Sequence, residues 1–476
     1  MRYYRLIILI LLFMPSCLMY TPYTRTYVAP PEHWRITTNE FSTLANLRWW
    51  EQLGDPVLTK LIEEAIQNNQ DLKVAVYRVF EYAAQLGIVR ADLFPQLGGN
   101  VNAERQEISL QGNPFTVGID RFFTTFTLLL NLTYEWDVWG RIQSASDAAL
   151  ADLLGQIDAR RTVVLTVISA VATAYLQLRQ YDMQLEIAQK TLKSRRESFA
   201  FSTLRFEGGL VSELEVKQSE SEMENAIVEV KELEISIGQA ENLLSILVGR
   251  APDYIERGSA IDKLNNPPCI PEGTPADIIE QRPDVLKAEK AIIAANASIG
   301  VARAQFFPQI SLATFLGTQS SSLNTLFKNA SETWFYGGAL SQPIFTGGRL
   351  TYQEEKAEAL KWEAFHAYQQ TILTAFKEVN DVLIGHSKGI ELLEVQKRRV
   401  KVLTDYLYLA TLRYKEGETD YLNVLDAERQ LFSAQLDWAA AQSYIFLTLV
   451  DIYKALGGGW VIDADCELMD QNFCHD

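Results

Sequence analysis

The sequence predicts an α+β membrane protein composed of two tandem structural repeats. Three observations support this fold class. A segment of the chain recurs in its second half, two long spans contain almost no helix-breaking residues, and short segments alternate apolar with polar residues. With 476 residues, of which 48% are hydrophobic and 22% charged, the chain is long enough to bury a substantial core.

The internal repeat aligns without gaps. Residues 71–96 match residues 284–309, and both segments end in Phe-Pro-Gln, which begins at Phe94 and at Phe307. Such self-similarity predicts one structural unit that is used twice. The predicted boundaries are a first repeat over 56–262, a connector over 263–276, a second repeat over 277–460 and a C-terminal tail over 461–476.

Two long helices are predicted over 141–207 and 349–416. Both spans lack proline and are rich in Ala, Leu, Glu, Gln, Lys and Arg, which favour helix. Apolar residues recur at three- and four-residue spacing, for example around Val164, which predicts a stripe that packs against neighbouring helices. A further helix is predicted after each of them, over 212–249 and 420–457.

A short turn that contains glycine separates each long helix from the next helix. Gly209 and Gly417 suit the position just after a helix C-terminus, where a left-handed backbone is common. Ser212 and Glu215 have the spacing of a capping box, and Asp420 replaces the serine in the second turn. The two turns are therefore predicted to be helical hairpins at equivalent places in the two repeats.

Ahead of each long helix the apolar period changes from helical to alternating. From Phe126 to Trp136 apolar residues alternate with polar ones, and Leu129 is the exception. This pattern is typical of a transmembrane β-strand that faces lipid on one side and water on the other. An amphipathic strand in a soluble sheet is the alternative. The predicted strands lie at 97–110, 122–137, 309–318 and 333–346.

Four strands per chain are too few to close a barrel around a lumen. An open sheet edge in hydrocarbon leaves backbone groups without hydrogen bonds. Several chains are therefore expected to pool their strands.

The N-terminus has the features of a secretory signal over 1–16, with two arginines before an apolar run that is too short to span a bilayer. Cys17 follows a small residue, as in a bacterial lipobox, which predicts lipidation of Cys17 and an extended, lipid-anchored segment over 17–55. Ordinary signal-peptidase cleavage, with Cys17 unmodified, is the alternative. Leu18 is not the aspartate of an inner-membrane retention signal, which favours the outer membrane.

Charge and motif content exclude several functions. The formal net charge of −17 is unsuited to nucleic-acid binding. The four cysteines and four histidines show no metal-ligand spacing, and no nucleophile elbow, phosphate loop or dinucleotide fingerprint occurs. The sequence therefore predicts no metal site, no cofactor and no enzymatic activity. Cys466 and Cys474 could form a disulfide in an oxidising compartment.

Several short motifs occur in a characteristic order: Trp49-Trp50, Gly54-Asp55-Pro56, the two Phe-Pro-Gln motifs, Tyr134-Glu135-Trp136-Asp137, Gly347-Gly348-Arg349 and Val424-Leu425-Asp426. In these motifs the chain resembles the TolC/OprM/NodT family of outer-membrane factors, from about Trp49 to Trp460. The resemblance implies a homotrimer in which four strands from each chain close one twelve-stranded transmembrane β-barrel, continued by a long periplasmic α-helical barrel. It also implies contact with outer-membrane lipid and two protein partners, a periplasmic adaptor (membrane fusion) protein and an inner-membrane transporter of RND or ABC type.

The resemblance also implies roles for residues at the two hairpins. The periplasmic tip, where the family's channel is held closed and adaptors dock, would include Arg205, Gly209, Ser212, Glu213, Arg413, Gly417 and Tyr421. The pore constriction would include Asp426, Asn423 and Asp420, and three copies of Asp426 would form an acidic ring. The alternatives are an N-cap role for Asp420, a solvated helix position for Asp426, and local pairing of Arg205 with Glu207 and of Arg413 with Glu416.

The implied function is a passive exit duct for drugs or other small molecules across the periplasm and outer membrane, as part of a tripartite efflux pump. Two alternatives remain open. One is a type I secretion exit duct for proteins, and the other is a periplasmic coiled-coil protein that conducts nothing. The alternating segment from Phe126 to Trp136 argues against the second, because a fibrous spacer has no use for a lipid-facing strand.

Overall fold

The structure of the protein is a computed structural model. It describes residues 18–25, 29–31, 34, 41–42, 48–109, 121–261, 264, 270–271, 279–457 and 461. Cys17, Cys466 and Cys474 lie outside the described residues. The chain divides into two compact units. The sheet unit contains 78–156 and 287–368 with the described residues before 26, and the helical unit contains the described residues of 29–77, 157–286 and 369–461.

Apart from α1, the same order of elements occurs in both halves of the described chain. The first half contains α1 (Pro56–Asn68), α2 (Gln70–Ala91), β1 (Gln96–Glu107), β2 (Phe122–Trp136), α3 (Arg141–Glu207) and α4 (Glu213–Leu247). The second half contains α5 (Pro283–Ala304), β3 (Gln309–Ser320), β4 (Glu332–Ser341), α6 (Arg349–Lys415) and α7 (Tyr421–Ala455). Helices α2, α3 and α4 have 22, 67 and 35 residues, and α5, α6 and α7 have the same three lengths.

Two predicted strands are too long by several residues. The strand predicted over 97–110 ends at Glu107. The strand predicted over 333–346 ends at Ser341. The sequence explains the second difference, because Pro343 has no N–H group to donate to a strand partner.

Strands from both halves of the chain share one sheet, so the two compact units do not coincide with the two predicted repeats. The order is β1-β2-β3-β4, and every neighbouring pair is antiparallel. Strands β1 and β4 are the edges. Among the described residues, each of them has one side without a strand partner.

One face of the sheet is apolar and the other is mainly polar. The register places Val101 beside Leu128 on the apolar face, where large side chains stay exposed, 79% for Val101 and 75% for Tyr336. On the opposite face, Asn102 pairs with Thr127. The alternation in the sequence therefore corresponds to two faces of one sheet, and the apolar face is a large water-exposed surface in the single chain.

The core of the helical unit packs around tryptophan. Trp49 is fully buried, and its ring stacks on Tyr453 with 5.2 Å between the ring centroids. Asp55 is 1% exposed and caps α1, accepting a hydrogen bond from the Val57 backbone N–H at 2.9 Å. The same carboxylate accepts one from the Tyr175 hydroxyl at 2.8 Å. The Asp55 side chain therefore ties the start of α1 to α3.

His386 is buried between α6 and α7. It is 6% exposed, and its Nδ1 lies 2.9 Å from the Thr448 hydroxyl. Burial lowers the pKa of His386, so acidification protonates the unfolded chain before the folded one, and folding stability is lost as pH falls below about 6.5.

We expect the melting temperature of the wild type to decrease as the pH is lowered below about 6.5. We expect His386→Gln to weaken this pH dependence of the melting temperature, measured by circular dichroism. The control is His366→Gln, at an exposed position; equal pH dependence in all three proteins would contradict this role.

Candidate functional site

Both long helices end in a turn that favours glycine. Gly209 and Gly417 have φ values of 71° and 76°, in the left-handed region that side chains rarely adopt. In each turn, the N–H group that follows the glycine donates to the carbonyl four residues before the glycine, at 2.9 Å. This bond closes both helix ends in the same way. The turns lead directly into α4 and α7.

The predicted capping box at the start of α4 is wrong. Ser212 has the extended backbone of an N-cap residue, but its hydroxyl makes no capping hydrogen bond. The Glu215 carboxylate instead accepts a hydrogen bond from the Tyr414 hydroxyl. Asp420 holds the corresponding N-cap position of α7, and its side chain makes no capping hydrogen bond either.

A three-residue link joins the two hairpins near their ends. Arg205 of α3 donates to the hydroxyl of Tyr414 in α6, and that hydroxyl donates to Glu215 of α4. The Arg205 Nη1 lies 3.7 Å from the Glu215 carboxylate, and the guanidinium lies 5.1 Å from the Tyr414 ring centroid. Burial, together with the hydrogen bond to Glu215, raises the pKa of Tyr414 to about 12, so the hydroxyl keeps its proton at neutral pH. The link therefore fastens the end of α6 to α3 and α4.

Sequence reasoning singled out Arg205 for this site but missed Tyr414 and Glu215 as its partners. One feature of the sequence could have indicated the contact between Arg205 and Tyr414. Arg205 and Tyr414 each lie about one helical turn before the turn glycine of their own hairpin. Polar side chains near the ends of two hairpins are candidates for a contact between the hairpins.

The alternative of local pairing with Glu207 and Glu416 is not what the structure shows for the two arginines. Arg413 forms an ion pair with Glu418 at 3.3 Å rather than with Glu416. Arg205 likewise faces the carboxylate of the link rather than that of Glu207. Both Arg413 and Glu418 are exposed, so their pair contributes little to stability.

The predicted tip residues differ in exposure. Tyr421 is 8% exposed and packs its ring 5.2 Å from the Tyr414 ring, so it is part of the core of the hairpin and does not present a docking surface as predicted. The exposed members of the set are Gly209, Ser212, Glu213, Arg413 and Gly417.

The three predicted constriction residues follow one side of α7 from its N-terminal end. Asp420, Asn423 and Asp426 are three residues apart, a spacing that places helical side chains near one another. Asp426 is half-buried and accepts a hydrogen bond from Gln430 at 2.6 Å. Asn423 is exposed and donates to Thr419. The structure thus brings the three together on one helix, where they form a polar stripe.

A buried charge cluster lies farther along the same helices. Arg195 of α3 is 3% exposed, donates to the backbone carbonyl of Glu222 at 2.8 Å and lies 3.2 Å from the Glu222 carboxylate. Arg429 approaches the same carboxylate at 3.7 Å. Burial lowers the pKa of Arg195 and raises that of Glu428, which lies on α7. No sequence pattern predicts this cluster, because charged residues occur on every helix surface.

Two other features of the described chain bear on function. In the part of the chain that the structure describes, no group of three or more His, Cys, Asp or Glu side chains could hold a metal ion. One segment of α3 is apolar and long enough to cross a membrane, but 61% of it is buried within the chain, as in the core helix of a soluble domain.

Known proteins are similar to this chain in sequence and fold. The model of the family described as outer membrane efflux protein matches residues 61–250 and 274–458. The solvent efflux pump outer membrane protein SrpC of Pseudomonas putida is 37% identical over 415 residues, which cover 87% of each chain.

Solved structures show a similar fold. A membrane protein from Pseudomonas aeruginosa has 32% sequence identity and a TM-score of 0.85, over 93% of this chain and 100% of that one. The open state of the MtrE outer membrane channel of Neisseria gonorrhoeae has 31% identity and a TM-score of 0.83, over 93% of this chain and 99% of that one. With family matches in both halves of its sequence, the chain belongs to the outer membrane efflux protein family.

Proposed function

We propose that the chain is one protomer of a homotrimeric exit duct, the passive outer-membrane channel of a tripartite efflux pump. The main supporting observation is the four-stranded sheet, which exposes an apolar face and whose two edge strands each lack an outer partner among the described residues. In hydrocarbon each unpaired backbone group costs several kcal/mol, so the edges need partners. Three chains would supply twelve strands, a number within the range of outer-membrane barrels.

Two structural repeats and an α-helical barrel are the other parts of the proposed architecture. The recurrence of three helix lengths supports the repeats. The match of the family model to two separate ranges, 61–250 and 274–458, supports them as well. The long helices α3 and α6, with α4 and α7, would form the periplasmic α-helical barrel of the trimer.

The pump would contain two further proteins. A passive duct needs an energy source elsewhere, which an inner-membrane transporter of RND or ABC type would supply. A periplasmic adaptor would dock on the exposed hairpin ends around Gly209 and Gly417. Small organic molecules are the proposed cargo rather than secreted proteins, because a relative is named as part of a solvent efflux pump.

Reconstitution and gene deletion test this function together. The purified protein is expected to produce discrete conductance steps in a planar bilayer, and deletion of its gene is expected to increase the accumulation of a fluorescent aromatic dye in its host. Absence of conductance steps with unchanged dye accumulation would favour the non-conducting coiled-coil protein. Loss of protein export with unchanged dye accumulation would favour type I secretion.

Asp426 is the proposed source of charge selectivity. Three copies of its carboxylate around a narrow pore would attract cations and repel anions. We expect Asp426→Asn to reduce the preference for cations, measured as the reversal potential in a potassium chloride gradient. Asp437→Asn is the control, because Asp437 is also on α7 but about three turns farther along the helix. Equal reversal potentials for the wild type and Asp426→Asn would remove Asp426 from the constriction.

Cys17 is the proposed lipid anchor. Cys17→Ala is expected to abolish incorporation of radioactive palmitate, because the thiol is the attachment point. Cys269→Ala is the matched control and should be labelled like the wild type. Persistent labelling of Cys17→Ala would show that the lipid is attached elsewhere.

A further inference from the structure

The mainly polar face of the sheet contains an apolar patch near its middle. Leu129 is the residue that breaks the alternation between Phe126 and Trp136, and it lies on this face, paired with Gly317. Phe315 lies on the same face, two residues along β3, and pairs directly with Phe335 of β4. The patch therefore takes one side chain from each of three neighbouring strands.

The two rings of the patch stack on each other. Their centroids are 5.5 Å apart with 24° between the ring planes, which is the geometry of a stacked pair. The Phe335 ring leans over Gly337, where an added Cβ would lie 2.5 Å from Phe335 Cζ. The glycine thus leaves the space that the ring occupies. Phe335 nevertheless remains 47% exposed, so one ring surface is available to a ligand.

Polar residues surround the patch. The register places Asn131 beside Phe315 and Thr333 beside Gly317, and Gln319 continues the same face along β3. An aromatic molecule that moves along this face would therefore meet one apolar contact near the middle of the strands, where its ring can be shielded from water.

We propose that Leu129, Phe315 and Phe335 form a cargo-contact site that binds planar aromatic solutes by stacking. The inference rests on the proposed function, because this face lines a lumen only in a closed barrel. An exposed aromatic ring prefers a flat aromatic partner, since offset stacking adds attraction beyond the burial of apolar area. One stacked contact gives weak binding, and passage through a channel requires binding that is weak enough to be reversed. A trimer would present three such sites.

Saturation-transfer difference NMR on the full-length, detergent-solubilised trimer tests this site. The probe is benzyltrimethylammonium, and the reference compound is cyclohexylmethyltrimethylammonium, which has the same charge and a saturated ring. We expect stronger saturation transfer to the aromatic probe, and we expect the double variant Phe315→Leu/Phe335→Leu to reduce this excess about threefold. Gly337→Ala should also reduce it, because the added methyl displaces the Phe335 ring while both phenylalanines remain.

Two control variants lie on the opposite face of β4. Tyr336→Leu removes an aromatic ring from the apolar face, and Gly338→Ala adds a Cβ that would meet Leu312 at an ordinary 3.4 Å. Neither should change the excess. The inference would be overturned if the double variant kept the stronger saturation transfer to the aromatic probe, or if Tyr336→Leu removed it. A protein that is monomeric or fails to conduct would contradict the proposed function instead, so the two failures are distinguishable.

Discussion

Replacing Tyr414 with phenylalanine is expected to increase the open probability and conductance of the reconstituted channel. The change keeps the ring but removes the hydroxyl that donates to Glu215 and accepts from Arg205. The link holds the end of α6 against α3 and α4, and we expect it to keep the tip of the proposed trimer closed. A hydrogen bond to a charged group contributes about 1.5–3 kcal/mol. Its loss in three chains would shift the balance from closed to open tips by more than roughly tenfold.

Single-channel recording in planar bilayers measures this effect. Tyr408→Phe is the control, because Tyr408 lies on the same helix and is 68% exposed. Glu215→Gln should act in the same direction as Tyr414→Phe, since it removes the charged acceptor of the same hydrogen bond. If Tyr414→Phe conducts like the wild type and like Tyr408→Phe, the link does not control the tip.

Arg195→Met is expected to destabilise the helical unit strongly. The substitution keeps an apolar stem in the core but leaves the Glu222 carboxylate buried without its closest cation. Removal of one partner from a buried ion pair costs about 3–5 kcal/mol, because the remaining charge is desolvated and unpaired. The melting temperature in far-ultraviolet circular dichroism should fall accordingly.

Two further variants separate the ion pair from the packing of the side chain. Arg429→Met removes a cation from the same cluster, but the Arg429 side chain is 52% exposed and lies 3.7 Å from Glu222, so we expect a small effect. Adding Glu222→Gln to Arg195→Met should recover part of the lost stability, because it removes the unpaired charge. Equal melting temperatures for Arg195→Met and Arg429→Met would contradict this view of the cluster.

Local sequence signals determine the long helices and their ends. The span of α3, Arg141–Glu207, has no proline, and Gly209 follows its last turn with the left-handed backbone that a helix end requires. The apolar pattern alone defines a strand end less well, because the apolar run continues to Phe345 whereas β4 ends at Ser341. The local signal for this end is Pro343, which has no N–H group to donate to a strand partner.

The contacts of the candidate site could not be predicted in the same way. Tyr414 and Glu215 are 199 residues apart, and their hydrogen bond depends on how three helices pack. Periodicity identifies the buried side of a helix but not the partner helix that covers it. The predicted position of Tyr421 at the docking surface is wrong for the same reason, because its place beside a turn gives no information about the Tyr414 ring that packs against it.

Disulfide cross-linking between the edge strands β1 and β4 tests the closed barrel of three chains most directly. In a variant with Cys269, Cys466 and Cys474 replaced by serine, one cysteine is placed at Val101 in β1 and a second is moved residue by residue along β4. Closure predicts that some pairs give covalent dimers and trimers on denaturing gels and no larger species, because the third chain completes the ring. Absence of cross-links at every position, or a ladder that continues beyond the trimer, would contradict the closed trimeric barrel.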